Sequence, residues 1–353
     1  MGLLWILWWA SILMAGVALG WMAGLILARL RRERVDARRE VDRRRVHAVF
    51  FDAMTGSGDA AGRLRQLSRR ARTMAETLLE VSAIVRGAER DRLIGSLGAV
   101  GVPERLRRRL VRGGVEGRIA AAEALAVFPG LETQTALLSA LGGTRNVHLR
   151  VAILSSLADI GAPPDLRPLL EEIGSGRGAE SLLFLPILRR VAAHDPKAAL
   201  ALFRGGGRPD QRPLLAEALG ATGDYSALEA LIEAAAAEDM ELRIAALRAL
   251  GALRHPAAQP TMAAALADPA WEVRAAASEA AGRIGLSDLG GRLCERLSDP
   301  AWWVRFRAGE ALVALGPKGL ELLRRAVAGA DDLARRSASL ALAERGFATE
   351  ESA

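Results

Sequence analysis

The sequence predicts an all-α protein: an α-solenoid of helical hairpins with a period of 31 residues, preceded by one transmembrane helix. Asp-Pro-Ala-Trp-Glu-Val-Arg begins at Asp268 and Asp-Pro-Ala-Trp-Trp-Val-Arg at Asp299, 31 residues on. Arg118, Arg150, Arg212, Arg243, Arg274, Arg305 and Arg336 share one register, with a single 32-residue step and Ser181 where one arginine is missing. The apolar column Leu125, Leu157, Leu188, Leu219, Leu250, Ala281, Leu312 and Ala343 runs unbroken through the Ser181 repeat. Self-similarity at such a period marks a stacked-repeat architecture.

The first element, 1–28, is read as the membrane span. Leu3 to Ala28 is an uncharged run of 26 residues, where a bilayer core needs about 20 helical residues. A signal peptide would want a basic start and an apolar run of about 7–15 residues. Nine arginines fall between Arg29 and Arg45 and none precedes the run, so the positive-inside rule places the N-terminus outside and the repeats in the cytoplasm of a bacterial inner membrane. Trp5, Trp8 and Trp9 suit an interfacial belt, with Trp21 deeper. Gly16, Gly20 and Gly24 form Gly-x-x-x-Gly steps on one face, which admit a second transmembrane helix, from a homodimer or a partner.

The second element, 29–53, is expected to be a basic juxtamembrane helix. Arg31, Arg32, Arg34, Arg38, Arg39, Arg43, Arg44 and Arg45 are its candidates for facing anionic lipid, each worth about 1 kcal/mol near such a surface. Residues 29–45 carry nine arginines against four acids, and 63–118 carry fourteen against six. Residues 119–353 hold 25 basic and 29 acidic residues. An acidic distal part repels phosphate, so nucleic acid is not an expected partner. Thr55-Gly-Ser-Gly-Asp-Ala-Ala-Gly62 reads as a hinge, giving a flexible linker over 54–62. Leu64, Leu67, Ala71, Met74, Leu78, Val81 and Val85 then form an apolar stripe, expected to be an N-terminal capping helix of a solenoid covering 63–353.

Within a repeat, Val273, Ala276, Ala277, Ala280 and Ile284 line one helical stripe. This is the second helix of a hairpin, with Asp268 expected as its N-cap and Pro269 in its first turn. Shorter first helices are predicted over Leu131 to Leu141, Leu166 to Ile173, Ser226 to Ala236, Leu289 to Leu297 and Leu320 to Val327. One 31-residue unit loses roughly 1–2 kcal/mol of backbone entropy per residue on folding, while each buried aliphatic side chain returns about 2 kcal/mol. Stability therefore has to come from stacked neighbours.

The pattern Asp-Pro-x-x-x-Val-Arg-x-x-Ala, at Asp268 to Ala277 and Asp299 to Ala308, resembles bacterial HEAT repeats, above all the short type of the phycobilisome lyases. The resemblance covers roughly residues 88 to 346. It implies a ladder of Asp268, Arg274, Asp299 and Arg305 tying adjacent repeats, with Asp239 and Arg243 a looser match. It also implies a binding platform more than an activity.

No catalytic constellation stands out. His47, His148, His194 and His255 are far apart, and Cys294 is the only cysteine, so neither a metal site nor an intrachain disulfide is suggested. Gly174-Ser-Gly-Arg-Gly178 and Gly205-Gly-Gly207 lack the Lys-Ser/Thr of a phosphate loop. Glu217, Glu279 and Glu310 share one column and read as a solvated face. No cofactor or enzymatic activity is expected. Trp271, Trp302 and Trp303 sit at the starts of adjacent second helices, where large aromatics anchor a protein partner; the competing role, strongest for Trp302, is packing against the neighbouring repeat. The expected function is a membrane-anchored scaffold for a protein partner. A lyase-like or chromophore-attachment enzyme and a nucleic-acid-binding solenoid are the alternatives.

Overall fold

The computed structural model describes residues 2, 5, 8, 9, 14, 16, 20–22, 29, 41, 44–55, 60–67, 71–174, 178–206 and 208–346. Among the described residues every regular element is helical and there is no strand. Contacts divide the chain into two units, Met1–Ile160 and Gly161–Ala353.

The first unit holds α1 (44–55), α2 (Ala60–Leu67), α3 (Ala71–Ile84), α4 (Ala88–Ala99), α5 (Val102–Arg112), α6 (Val115–Leu125), α7 (Leu131–Gly142) and α8 (Val147–Asp159). α5 pairs with α6 and α7 with α8, while α3, α6 and α8 pack in series. α1 buries Val46, Val49, Phe50 and Ala53, at i, i+3, i+4 and i+7, in the same core as Leu64, Met74, Leu78, Leu97 and Leu125. Its polar side is tied down as well, by Asp52 to Arg63 at 2.9 Å and by His47 to Glu80 at 3.4 Å. The end of the expected basic juxtamembrane helix is therefore a core element of this unit. The expected linker is also shorter: Met54 and Thr55 complete α1, and Ala60 to Gly62 begin α2. Of 54–62, only 56–59 remain, and they lie outside the described residues.

The second unit begins with α9 (Leu166–Gly174), α10 (Gly178–His194) and α11 (Pro196–Ala201), which runs on into a π-helical turn, Leu202–Gly206. There follow α12 (Arg212–Gly220), α13 (Leu228–Ala234), α14 (Met240–Leu253), α15 (Gln259–Ala265), α16 (Trp271–Ile284), α17 (Gly290–Arg296), α18 (Trp302–Ala314), α19 (Pro317–Val327) and α20 (Asp332–Glu344). The even-numbered helices α10 to α20 are the second helices, each packed on the next. Leu188, Leu219, Leu250, Ala281 and Leu312 are all buried along their common seam. Ala343, the same position on α20, is exposed; α20 is the last helix of the described series and has no second helix stacked beyond it.

Glycine sets the spacing of this series. A methyl group added to Gly220 would stand 2.5 Å from Cα of Ala249, one on Gly251 3.0 Å from Cα of Ala280, and one on Gly282 2.7 Å from Cα of Ala311. These glycines recur every 31 residues and face alanines that do the same. The backbones thus meet at one small-residue contact per repeat, too close for a side chain at Gly220 and Gly282 and barely wide enough for a methyl group at Gly251. A second recurrent position follows these helices with positive φ: Arg254 and Gly285 are left-handed, with φ of 56° and 85°, and Gly316 at the equivalent site has φ 69° with an extended ψ.

The helix starts differ from the expectation. α16 begins at Trp271 and α18 at Trp302, with Ala270 and Ala301 extended before them. Asp268 accepts from the Ala270 N–H at 2.9 Å and Asp299 from the Ala301 N–H at 2.9 Å. Each aspartate closes a turn ahead of the helix, and its proline lies in that turn rather than in the first helical turn. Asp239 and Asp331 do act as N-caps, for α14 and α20.

Gly282→Val should lower the thermal midpoint by an amount equivalent to about 1–3 kcal/mol, as overpacking does. Gly291→Ala, in α17 with open space around it, should be neutral or stabilise by up to about 1 kcal/mol. Thermal unfolding of the two variants checks the pair.

Candidate partner-binding face

The second helices of the second unit are fixed by ion pairs before any surface is presented. Arg274 grips Asp299 of the next repeat with two parallel bonds, Nε to Oδ2 at 2.7 Å and Nη2 to Oδ1 at 2.8 Å. Its Nη1 donates to the carbonyls of Asp268 and Pro269, at 2.9 and 3.0 Å. Arg243 repeats the arrangement one step earlier, reaching Asp268 at 3.1 Å and the carbonyls of Ala237 and Glu238. Arg305 keeps only the carbonyl half, donating to Asp299 and Pro300. Position 330, where the next aspartate would stand, is alanine. Asp239 takes no part in this ladder and stays a helix cap.

Asp299 is buried to 4% exposure. Burial by itself would push its carboxyl up, but hydrogen bonds from Arg274 and the Ala301 N–H, with the charges of Arg274 and Arg296, outweigh that and hold it below its ordinary value. The carboxylate is thus retained because the preceding repeat supplies its counter-charge.

Along the face formed by α10, α12, α14, α16 and α18 runs an open trough of about 530 Å³, with Arg189, Glu217, Arg248, Glu279, Arg283 and Arg307 among its lining. Glu217 bridges Arg189 and Arg248, at 3.1 and 3.6 Å. Glu279 bridges Arg283 and Arg307, at 2.5 and 3.6 Å, and Arg307 also holds Glu310 at 2.8 Å. Glu279 and Glu310 are therefore both engaged by one guanidinium, that of Arg307.

The first turns of α16, α18 and α20 carry an apolar column. Trp271, Trp302 and Leu333 occupy equivalent first-turn positions at 31-residue spacing and are 40%, 47% and 44% exposed. Trp303 adds 49%. Trp302 stacks on Phe306 of its own helix, ring centres 5.2 Å apart and planes at 15°, and meets Trp303 edge-on at 4.6 Å. Trp302 does not withdraw into the stack, because Phe306, one turn along on the same face, already offers it a ring to stack on. A cleft lined by Trp302, Phe306, Val313 and Leu340 opens between α18 and α20, rimmed by Arg305, Glu310, Glu344 and Arg345. The Phe306 and Leu340 contributions were invisible in the sequence because neither belongs to a repeated motif.

The remaining predicted sites fall largely outside this region. Arg44 and Arg45 are exposed on α1, whereas Arg31, Arg32, Arg34, Arg38, Arg39 and Arg43 lie outside the described residues. Gly16 and Gly20 are helical and exposed; Gly24 lies outside the described residues, as does most of 1–28. Among the described residues no helix is long and apolar enough to cross a membrane, and no cluster of ligands fit for a metal occurs.

The family model for HEAT repeats matches residues 196–281 and 259–343. No curated protein matches the chain. Among solved structures it is similar to Kap95p in a study of its binding to RanGDP, with 13% identity and a TM-score of 0.48 over 90% of this chain and 52% of that one. It is similar to Kap121p, with 12% identity and a TM-score of 0.46 over 84% and 41%. It is also similar to the complex of CpcE and CpcF of phycocyanin lyase from Nostoc sp., with 19% identity and a TM-score of 0.27 over 78% and 94%. The chain spans about half the length of the Kap95p chain it matches. These are likenesses of fold alone. Among the described residues the chain is all-helical, and its residues 196–343 match the family model for HEAT repeats.

Replacing Asp299 by Ala should cost about 3–5 kcal/mol, since it strands a partly buried guanidinium; Arg305→Ala should cost less, about 1–2 kcal/mol. Because the Asp299 carboxyl is held below its ordinary value, its stabilisation is complete above about pH 4 and is lost as the pH falls further. Thermal unfolding across that range should show the wild type losing more stability than Asp299→Asn, which already lacks the pair.

Proposed function

We propose that the chain is a membrane-anchored scaffold whose second unit binds a protein partner along the face just described. The observation that carries this reading is the row of exposed aromatics, Trp271, Trp302 and Trp303, on adjacent second helices. Half-exposed tryptophans set side by side hold a large apolar area that association would remove from water. Indole anchors of this kind dominate binding energy at protein interfaces. The paired or buried state of Glu217, Glu279, Glu310 and Asp299 favours a binding role over a catalytic one.

The anchor is part of the proposal and is supported by sequence. The uncharged run from Leu3 to Ala28 and the nine arginines that follow it favour a single span with the N-terminus outside and the repeats in the cytoplasm. The arginines from Arg31 to Arg45 would lie against anionic lipid, and Gly16, Gly20 and Gly24 would admit a second span, including that of a second copy.

Crosslinking in intact membranes, followed by mass spectrometry, tests the binding reading. A Trp271→Ala/Trp303→Ala variant that keeps its helical content should lose a crosslinked protein that the wild type captures; unchanged capture would remove these residues from the interface. Alkaline extraction tests the anchor: the full chain should stay in the membrane pellet, and release into the supernatant would contradict the span.

A further inference from the structure

The trough across α10 to α18 is arginine-rich at its surface and carboxylate-lined at its floor. Glu217 and Glu279 are 21% and 20% exposed, whereas Arg189, Arg248, Arg283 and Arg307 are 46%, 53%, 50% and 35% exposed. Each glutamate is shared between two arginines from different helices. Four guanidiniums thus stand over two carboxylates, with Glu310 at the far end held by Arg307. An incoming group meets cations first. This happens inside a unit, 161–353, that carries 23 basic and 26 acidic residues, so positive charge has been gathered into the trough against the balance of its surroundings.

We infer that the trough takes an acidic, extended segment of a protein partner, whose carboxylates complete the coordination of Arg189, Arg248, Arg283 and Arg307. The inference rests on the protein-binding reading above and names the chemistry of the segment bound. Carboxylates match guanidinium forks in charge and in geometry. Neighbouring helices stand about 8–10 Å apart and an extended chain advances about 3.3–3.6 Å per residue. A glutamate at roughly every third residue would therefore meet Arg248, Arg283 and Arg307 on α14, α16 and α18, while Arg189 on α10 stands two helix steps from Arg248. Arg307, at the α18 end of the trough, holds Glu310, which also lines the cleft of Trp302, Phe306 and Leu340. A nucleic acid fits less well, since its phosphates come one per nucleotide and the unit as a whole is acidic.

The test uses the full chain in detergent and fluorescein-labelled twelve-residue peptides carrying Glu, Gln or Lys at every third position, with oligo-dT as a fourth probe. By anisotropy the Glu peptide should bind, weaken with added salt, and lose about tenfold or more in affinity with Arg248→Gln/Arg307→Gln. Arg324→Gln/Arg325→Gln on α19 should leave it unchanged. Glu217→Gln, which frees two guanidiniums from a shared carboxylate, should tighten binding several-fold, and this gain stands even if the arginine variants unfold. Equal binding of the Gln peptide, tighter binding of oligo-dT, an equal loss with the α19 variant, or no gain with Glu217→Gln would overturn the inference. If these failures occur while the tryptophan-dependent crosslink persists, protein binding stands and only the acidic segment falls.

Discussion

The close approach of successive second helices governs the rest of the second unit. At Gly220 and Gly282 the backbone of one helix lies against an alanine Cα of the next, nearer than a β-carbon would permit, and at Gly251 a β-carbon would fit only as an unusually tight contact. That spacing brings the Asp268 turn within reach of Arg243 and the Asp299 turn within reach of Arg274. It also lets Glu217 bridge α10 and α14 from its place on α12. With larger residues at the three glycines, the helices would stand apart, and both sets of ion pairs would stretch beyond hydrogen-bond length.

Asp268 and Asp299 then couple turn to stack. One oxygen closes the turn before its own helix, while the carboxylate also accepts the arginine of the repeat before. The arginine in turn holds the carbonyls of its own turn. Local structure and inter-repeat contact are therefore one network, and losing any member leaves charged or polar groups partly buried and unmatched. Where the next aspartate is absent, at position 330, Arg305 keeps its carbonyls and the face beyond it opens into the cleft between α18 and α20.

Periodicity made the helical stack legible, because the apolar column and the arginine register both follow directly from what each repeat must bury. Shared register did not mean shared role, however. Arg274 and Arg243 pair with the next repeat, Arg212 lies over the Phe203 ring at 5.1 Å, and Arg336 turns to Asp332 of its own helix. The glycine contacts were present in the sequence at 31-residue spacing but look like ordinary turn glycines until the opposing alanines are placed beside them. The start of α16 differs from the expectation because Asp-Pro serves equally as a cap and as the turn before one. In α1 the dense arginines mask a short buried stripe of Val46, Val49, Phe50 and Ala53. The trough could not have been anticipated, since it depends on which side of each glutamate its arginines stand.

The surface left by this packing is polarised, with tryptophans at the first turns, guanidiniums over carboxylates along the trough, and an apolar cleft at one end. Its arrangement depends throughout on the glycine–alanine contact, which a double-mutant cycle on Gly251→Ala and Ala280→Gly tests most directly. Moving the methyl group from one helix to the other should restore much of what each single change costs, giving a favourable coupling of about 0.5–3 kcal/mol in unfolding free energy. Costs that simply add, to within about 0.5 kcal/mol, would contradict the contact and the stacking built on it.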